Sequence, residues 1–324
     1  MRTIAVRLAW SIGLLLVVIV LNFSLIHLAP GDPAVVIAGE SGAGDPAVLE
    51  EIREEYGLDR PFVVQLGSYV SRVASGDLGE SFFFNEPVTD LIIPRLWPTI
   101  LLVGTALFFA IVVGVGVGVF TSRRPESGWS HLATVLALFG FSFPVFFTGL
   151  ELALLFSKLG LLPISRMRSS TFEGGWFAAQ LDVAQHLVLP AFCLGLLFLA
   201  QYSRLSRASM LEVLQSDFVR TARAKGLAEK VVVYKHALRN AVIPVVTVAG
   251  LQFGSLLSGA LVVETVFDWP GLGRLAFDAV LRRDANVLLG VLLISAVLVI
   301  VVNLLTDIVY RLIDPRIRVG GGSR

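Results

Sequence analysis

The stretch ANVLLGVLLISAVLVIVVNLLT, Ala285–Thr306, carries no charged side chain over 22 residues. An α-helix rises about 1.5 Å per residue, so this run spans roughly 33 Å, the thickness of a bilayer's hydrocarbon core. Five more stretches read the same way when bounded by their flanking charges: Leu8–Gly31, Leu96–Ser122, Ser127–Leu150, Val183–Ser203 and Asn240–Val263. None alternates apolar and polar residues in the short segments of a membrane barrel. Lipid offers no partner for backbone N–H and C=O groups, so such stretches fold as helices. The expected fold class is an all-α integral membrane protein with six transmembrane helices.

The rest of the composition agrees. Of 324 residues, 55% are hydrophobic and 16% are charged, against roughly 25% charged in soluble domains. Mean hydropathy is +0.79, which excludes a disordered chain. The net charge of +1 excludes a nucleic-acid binder working by bulk charge. The lone cysteine, Cys193, forms no internal disulfide and supplies no multi-thiolate metal site. The first span follows Arg2 and Arg7 like a signal peptide, but it outruns the usual 7–15-residue apolar region and reads as a retained anchor.

Six crossings place both termini on one side. That side, with the 122–129 connection and the 203–240 segment, collects 16 Lys/Arg, while the opposite connections hold 10. The excess puts both termini in the cytoplasm. Residues 30–95 then form an external region with 12 acidic and 4 basic residues. Within it a short helix is expected over Pro46–Tyr56, with Asp45 as N-cap and Gly57 as stop.

Motifs for catalysis are missing. The segment Gly39–Pro46 has the glycine spacing of a phosphate-binding loop, but Asp45 stands where a lysine must reach the phosphates. Gly140-Phe141-Ser142-Phe143-Pro144 faintly resembles a nucleophile elbow, yet it lacks the last glycine and a preceding strand, and reads as a helix kink. The four histidines show no zinc-protease spacing.

Within the spans, Gly114, Gly116 and Gly118 alternate, and Gly250, Gly254 and Ser258 recur at four-residue spacing. Small residues let helix backbones approach, for ordinary packing or for a sliding seam. Polar residues in the spans are costly against lipid and should face protein or water, so Gln201, Gln252, Ser255, Ser258 and Asn303 are candidate passage-lining residues. The turn Trp269-Pro270-Gly271 reads as rigid and aromatic-anchored, either an outer gate or a structural corner.

Between the fourth and fifth spans, Leu211–Lys225 reads as one amphipathic helix with Leu211, Leu214, Phe218 and Ala222 on its apolar face. Gly226 sits where a left-handed cap stops it, and a second helical piece runs from about Glu229 into the fifth span. Two readings are open. A basic amphipathic helix rests on anionic lipid, or a docking lever turns a partner's movement into helix tilting.

The segment Arg220-Thr221-Ala222-Arg223-Ala224-Lys225-Gly226-Leu227, followed by His236–Ala241 and Ile243-Pro244, resembles the EAA loop of binding-protein-dependent ABC importer permeases. It is most similar to the dipeptide/oligopeptide branch, first of its two permease subunits. Leu28–Ala34, Tyr56–Pro61, Gly76–Gly79, Leu161–Ile164, His186–Pro190, Val263–Gly273 and Asp314–Arg316 follow in the order of that branch. Arg220, Thr221 and Arg239 depart from the broad importer pattern in the manner of the peptide branch.

The resemblance implies the type I ABC importer permease fold with an external insertion between helices 1 and 2. It divides the chain into an N-terminal transmembrane helix (1–29), an external acidic region (30–95), a five-helix permease core (96–314) containing a coupling loop (206–240), and a cytoplasmic tail (315–324). It implies a multi-pass protein of the bacterial inner membrane, and a non-catalytic subunit importing dipeptides or oligopeptides. Its ATPase-coupling residues would be Arg220, Thr221, Ala222, Arg223, Ala224, Lys225 and Gly226. Its partners would be a second homologous permease, two ATPase subunits or domains holding ATP and Mg, an external solute-binding protein and membrane lipid, with no nucleic acid. Relatives in the same class carry nickel, glutathione or haem. A different class, the ion-driven secondary transporter, would need carboxylates within the spans, where only Glu151 and Asp307 stand near the ends.

Overall fold

The computed structural model describes residues 2–28, 32–42, 45–81, 83–123, 125–133, 135, 143–170 and 174–313. Residues 134 and 136–142 of the third expected span, 127–150, and the tail 315–324 lie outside the described residues, as do Gly140–Ser142 and the Asp314–Arg316 motif. Among the described residues, five helical segments are long and apolar enough to cross a membrane: Ala9–Leu28, Val88–Arg123, Trp176–Leu214, Glu229–Leu251 and Ala285–Thr306. By internal contacts the chain divides into two compact units, Met1–Thr99 with Pro270–Val301, and Ile100–Trp269 with Val302–Arg324.

The first unit begins with α1 (Arg2–Leu28), followed by α2 (Pro33–Gly42), α3 (Pro46–Tyr56) and α4 (Phe62–Ala74). Helix α3 forms where its caps predict. The Asp45 carboxylate accepts the Ala47 N–H at 2.9 Å, and Gly57 stops the helix at φ +60°. Ile26, Ala34, Ile37, Ala38, Ile52 and Leu289 make the local core. Arg53 clasps α3 to the start of α2 by donating to Asp32, and that hydrogen bond, with one from the Ala34 N–H, holds the Asp32 carboxyl below its usual range.

A two-residue hairpin, β1 (Glu80–Ser81) with β2 (Glu86–Pro87), leads into the next span. Gly79 adopts φ +82°, and an added Cβ would sit 2.7 Å from the Tyr56 hydroxyl, so both its angle and its surroundings favour glycine. The same corner is tied to the unit's C-terminal segment: the Asn286 amide donates to the Glu80 carbonyl at 2.8 Å, and Ser81 Oγ donates to Asp284.

The second unit is built on two long helices. Helix α5 (Val88–Arg123) enters it from residue 100, and α7 (Trp176–Leu214) follows α6 (Val145–Leu159). At 39 residues, α7 is about 58 Å long, far more than the hydrocarbon thickness. Its last turns therefore stand clear of the apolar layer. Small residues set the spacing of α5 and α7. A Cβ on Gly118 would lie 2.6 Å from Ser206 Cβ and 2.8 Å from the Arg207 backbone nitrogen, and one on Gly114 would lie 2.8 Å from Tyr202 Cβ. Gly116 has nothing within 4 Å, so the alternating glycines are not equivalent. The main core joins Leu102, Val103 and Ala106 of α5 to Leu187, Cys193 and Leu194 of α7 and to Leu256, Ala260 and Val263 of the later helices.

The expected fifth span, Asn240–Val263, is not one regular helix. A helical run from Glu229 reaches Ala241 through a π-helix, Val232–Ala237. Local irregularities at Val242 and Gln252 then delimit α9 (Ile243–Leu251) and α10 (Phe253–Val266), although both residues keep right-handed helical angles and hydrogen bonds to the preceding turn. Pro244 contributes to the first irregularity, since it has no N–H to donate. Helices α11 (Leu272–Arg282) and α12 (Ala285–Ile313) complete the chain. In the second unit Gly250 of α9 packs onto Thr306 so closely that no Cβ fits between them.

Because any side chain at Gly118 must displace backbone of α7, Gly118→Val should lower stability by roughly 1–3 kcal/mol. Gly116→Val, facing open space, should stay within about 0.5 kcal/mol of wild type. Thermal unfolding of the purified protein in detergent separates the two, and equal effects would refute the packing role assigned to Gly118.

Candidate functional site

The loop segment that follows α7 departs from the single helix expected over Leu211–Lys225. Helix α7 ends at Leu214, Gln215 caps it, and Ser216 is extended at φ −69°, ψ 154°. A new helix, α8 (Asp217–Ala224), starts there with Asp217 in its first turn. The restart rotates the buried face. Val219 and Ala222 are buried, whereas Phe218 is 45% exposed. They pack with Val119 of α5, Met210 of α7 and Val232, Val233, Ala237 and Ala241 of the following run. Helix α8 is thus seated on its own small core, to which the π-helix contributes Val232, Val233 and Ala237.

Lys225 ends α8 and Gly226 turns the chain at φ +76° with no neighbour near its missing Cβ. Its requirement is conformational rather than steric. The Arg223 guanidinium closes the turn by donating from Nε and Nη2 to the two Glu229 oxygens, at 3.1 and 2.8 Å. Arg220, Thr221, Ala224 and Lys225 are exposed, and Ala222 alone of the seven candidate coupling residues is buried. The outward face therefore carries Arg220 and Lys225 as positive charges, with Asp217 beside Arg220 at 3.3 Å.

The five candidate passage residues all fall in the second unit. Gln201 is half-buried on α7; Ser255 and Ser258 share an exposed face of α10; and Asn303 is exposed on α12. Gln252 occupies the junction between α9 and α10, where its Oε1 is buried and has no hydrogen-bond partner among the described residues. The buried Tyr202 hydroxyl is likewise unpartnered. The sequence marks Tyr202 as one of the polar residues within the spans that should face protein or water, and the structure buries it in protein.

At the turn after α10, Trp269 is fully buried in the main core beside Phe267, so it anchors the corner from within. Pro270 is half-buried and Gly271 is buried, and the Leu272 N–H that follows donates to Thr99 Oγ1 at 2.8 Å. The corner holds a second chain segment: the Arg166 N–H donates to the Phe267 carbonyl at 2.9 Å, and its guanidinium lies 3.6 Å from Asp268. Both residues have positive φ, +67° and +55°, a conformation that non-glycine residues adopt only when surrounding contacts impose it. Glu264, fully buried in α10, escaped the sequence reading because the expected span stopped at Val263. The helical continuation through Thr265 and Val266 was the signal that it lay inside.

Two family profiles divide the chain between them. Residues 110–319 match the binding-protein-dependent transport system inner membrane component, and residues 1–103 match the N-terminal part of such membrane components. The chain belongs to this permease family. It is 41% identical to the dipeptide transport system permease protein DppB of Alkalihalophilus pseudofirmus, covering 96% of this chain and 98% of that one. It is 42% identical to DppB of Escherichia coli K12 over 96% and 97% of the two chains. The glutathione transport system permease protein GsiC of Pectobacterium atrosepticum is 43% identical over the same shares. A solved chain of the inward-facing MetNI methionine ABC transporter superposes with a TM-score of 0.56 at 18% identity, covering 69% of this chain and 96% of that one. The fold is that of an ABC importer permease in the inner membrane, and among the described residues five helices are long and apolar enough to span it.

Since Gly226 is needed for its backbone angle alone, Gly226→Val should cost roughly 1–2 kcal/mol of loop stability. Gly226→Asn, which tolerates the left-handed region, should cost less. Amide hydrogen exchange over residues 217–231 measures both, and equal protection in the two variants would refute the conformational argument.

Proposed function

We propose that this permease is one half of the transmembrane passage of an ATP-driven importer of dipeptides or short oligopeptides. The observation that carries the reading is near-complete coverage by DppB permeases at 41–42% identity, joined to an exposed basic lever seated on its own core. On this reading a second homologous permease completes the passage, an external solute-binding protein delivers cargo, and two partner ATPases bind ATP and Mg. The chain itself is non-catalytic. Asp45, in the loop-like segment Gly39–Pro46, is engaged as a helix cap rather than in holding phosphate.

The excess of Lys/Arg on the 203–240 side puts the lever and both termini in the cytoplasm and the acidic region 30–95 outside. Residues Arg220–Gly226 then seat in a cleft of one ATPase. Closure of the ATPase pair displaces the lever, and its core passes the displacement to α5, α7 and the run leading into α9. Binding-protein and ATP states bias the passage only through such differential contacts. Exposed Ser255, Ser258 and Asn303, with Gln201 and Gln252, line the midplane passage, as alternating access requires polar surface there. Trp269, Pro270 and Gly271 act at the outer end as the fixed corner of a gate.

Glutathione, a modified tripeptide, is the second cargo reading, favoured by 43% identity to the GsiC permease. The complex reconstituted with both permeases, ATPases and binding protein tests the proposal. Arg220→Glu with Lys225→Glu should lower cargo-stimulated ATP hydrolysis at least about tenfold, since reversed charge at a docking face costs more than 1.4 kcal/mol. Unchanged stimulation would remove the lever assignment. Stimulation by glutathione but not by dipeptides would replace the cargo.

A further inference from the structure

Behind the lever lies a cavity of about 430 Å³, lined by Ser122, Arg123, Ser127, Trp129, Arg223 and Glu229 among others. All of these residues belong to the second unit. Glu229 is the only carboxylate among the lining residues, and both its oxygens are taken by Arg223. Arg123 is therefore the charge in excess. It is the last residue of α5, where the apolar span gives way to the polar turn at Pro125–Ser127. Two aromatic residues in the lining face outward: Trp129 is 71% exposed and Phe120 is 55% exposed.

We propose that this cavity binds the phosphate group of an anionic phospholipid. The exposed Arg123 guanidinium is the group here that recognises phosphate, through charge-assisted hydrogen bonds, while the Ser122 hydroxyl donates to the Val119 carbonyl at 2.9 Å. Basic pockets where transmembrane helices end receive lipid head groups. A tryptophan at such a boundary matches the glycerol region, where its ring is apolar and its N–H is wet. Exposed Phe120, one turn before the end of the span, then lies along an acyl chain. A free phosphate shares the polar half of this chemistry but leaves both aromatic rings in water, so the lipid is the occupant the lining fits. Because Arg223 and Glu229 form one wall, the head group also braces the turn that follows the lever.

Brominated phospholipids quench tryptophan on contact, and Trp129 emission is read as the difference between wild type and Trp129→Phe. The assembled transporter is reconstituted in phosphatidylcholine vesicles containing brominated phosphatidylglycerol or, in parallel, brominated phosphatidylcholine. Phosphatidylglycerol should quench Trp129 with about fivefold preference, the effect of one basic residue near a surface. Arg123→Gln should abolish that preference. Equal quenching by the two lipids overturns the proposal, and so does quenching by neither, which would mean that a partner subunit covers the cavity. A response of Trp129 to inorganic phosphate in detergent, without lipid preference in vesicles, overturns the lipid source in favour of a free anion. The readout uses no transport, so it is independent of cargo and of coupling.

Discussion

No water reaches the hydrocarbon core to pair with a backbone amide, and every other feature of this permease accommodates that constraint. Helices satisfy it along most of their length; α5 and α7 run for 36 and 39 residues and lack a backbone donor at the internal prolines Pro94, Pro98 and Pro190. Their association then depends on close contact, because lipid tails supply no hydrophobic drive between helices. Gly114 and Gly118 provide that contact by removing the side chains that would hold α7 away. Gly250 does the same for α9 against the end of α12.

Departures from regular α-geometry cluster between the end of α7 and the start of α10. The interruption at Gln215–Ser216 detaches the lever from the α7 rod and turns its Val219–Ala222 face inward. The π-helix at Val232–Ala237 lies in the run between α8 and α9, and at Gln252 the side-chain Oε1 is buried without a partner among the described residues. Single-turn departures from α geometry of this kind concentrate at functional positions.

Much of this was legible in the residues. Helix α3 has the ends that Asp45 and Gly57 dictate, since a cap is decided by residues within one turn of it. The position of Gly226 as a left-handed stop follows from the same local rule. The face of the lever was not legible. Extending the α7 period through Ser216 placed Phe218 inside, and the extended residue at 216 shifts the register so that Val219 takes that place. The role of Trp269 was half legible: an aromatic anchor was read, but the core that buries it also draws on residues of α5 and α7 that are far away in sequence.

By itself, then, the sequence determined what short-range physics controls: a chain of apolar spans, their charge asymmetry, and the caps that start and stop the short helices. Tertiary structure alone decided which of three alternating glycines touches a neighbour, that Glu264 lies wholly buried inside α10, and that Arg166 meets Asp268 at a corner both residues enter with positive φ. These outcomes depend on contacts between segments about 90 to 100 residues apart. Hydrophobic periodicity within one helix marks an apolar stripe but not the partner that covers it. In a membrane span, where lipid and protein are both apolar, the pattern does not distinguish the two, and only packing does.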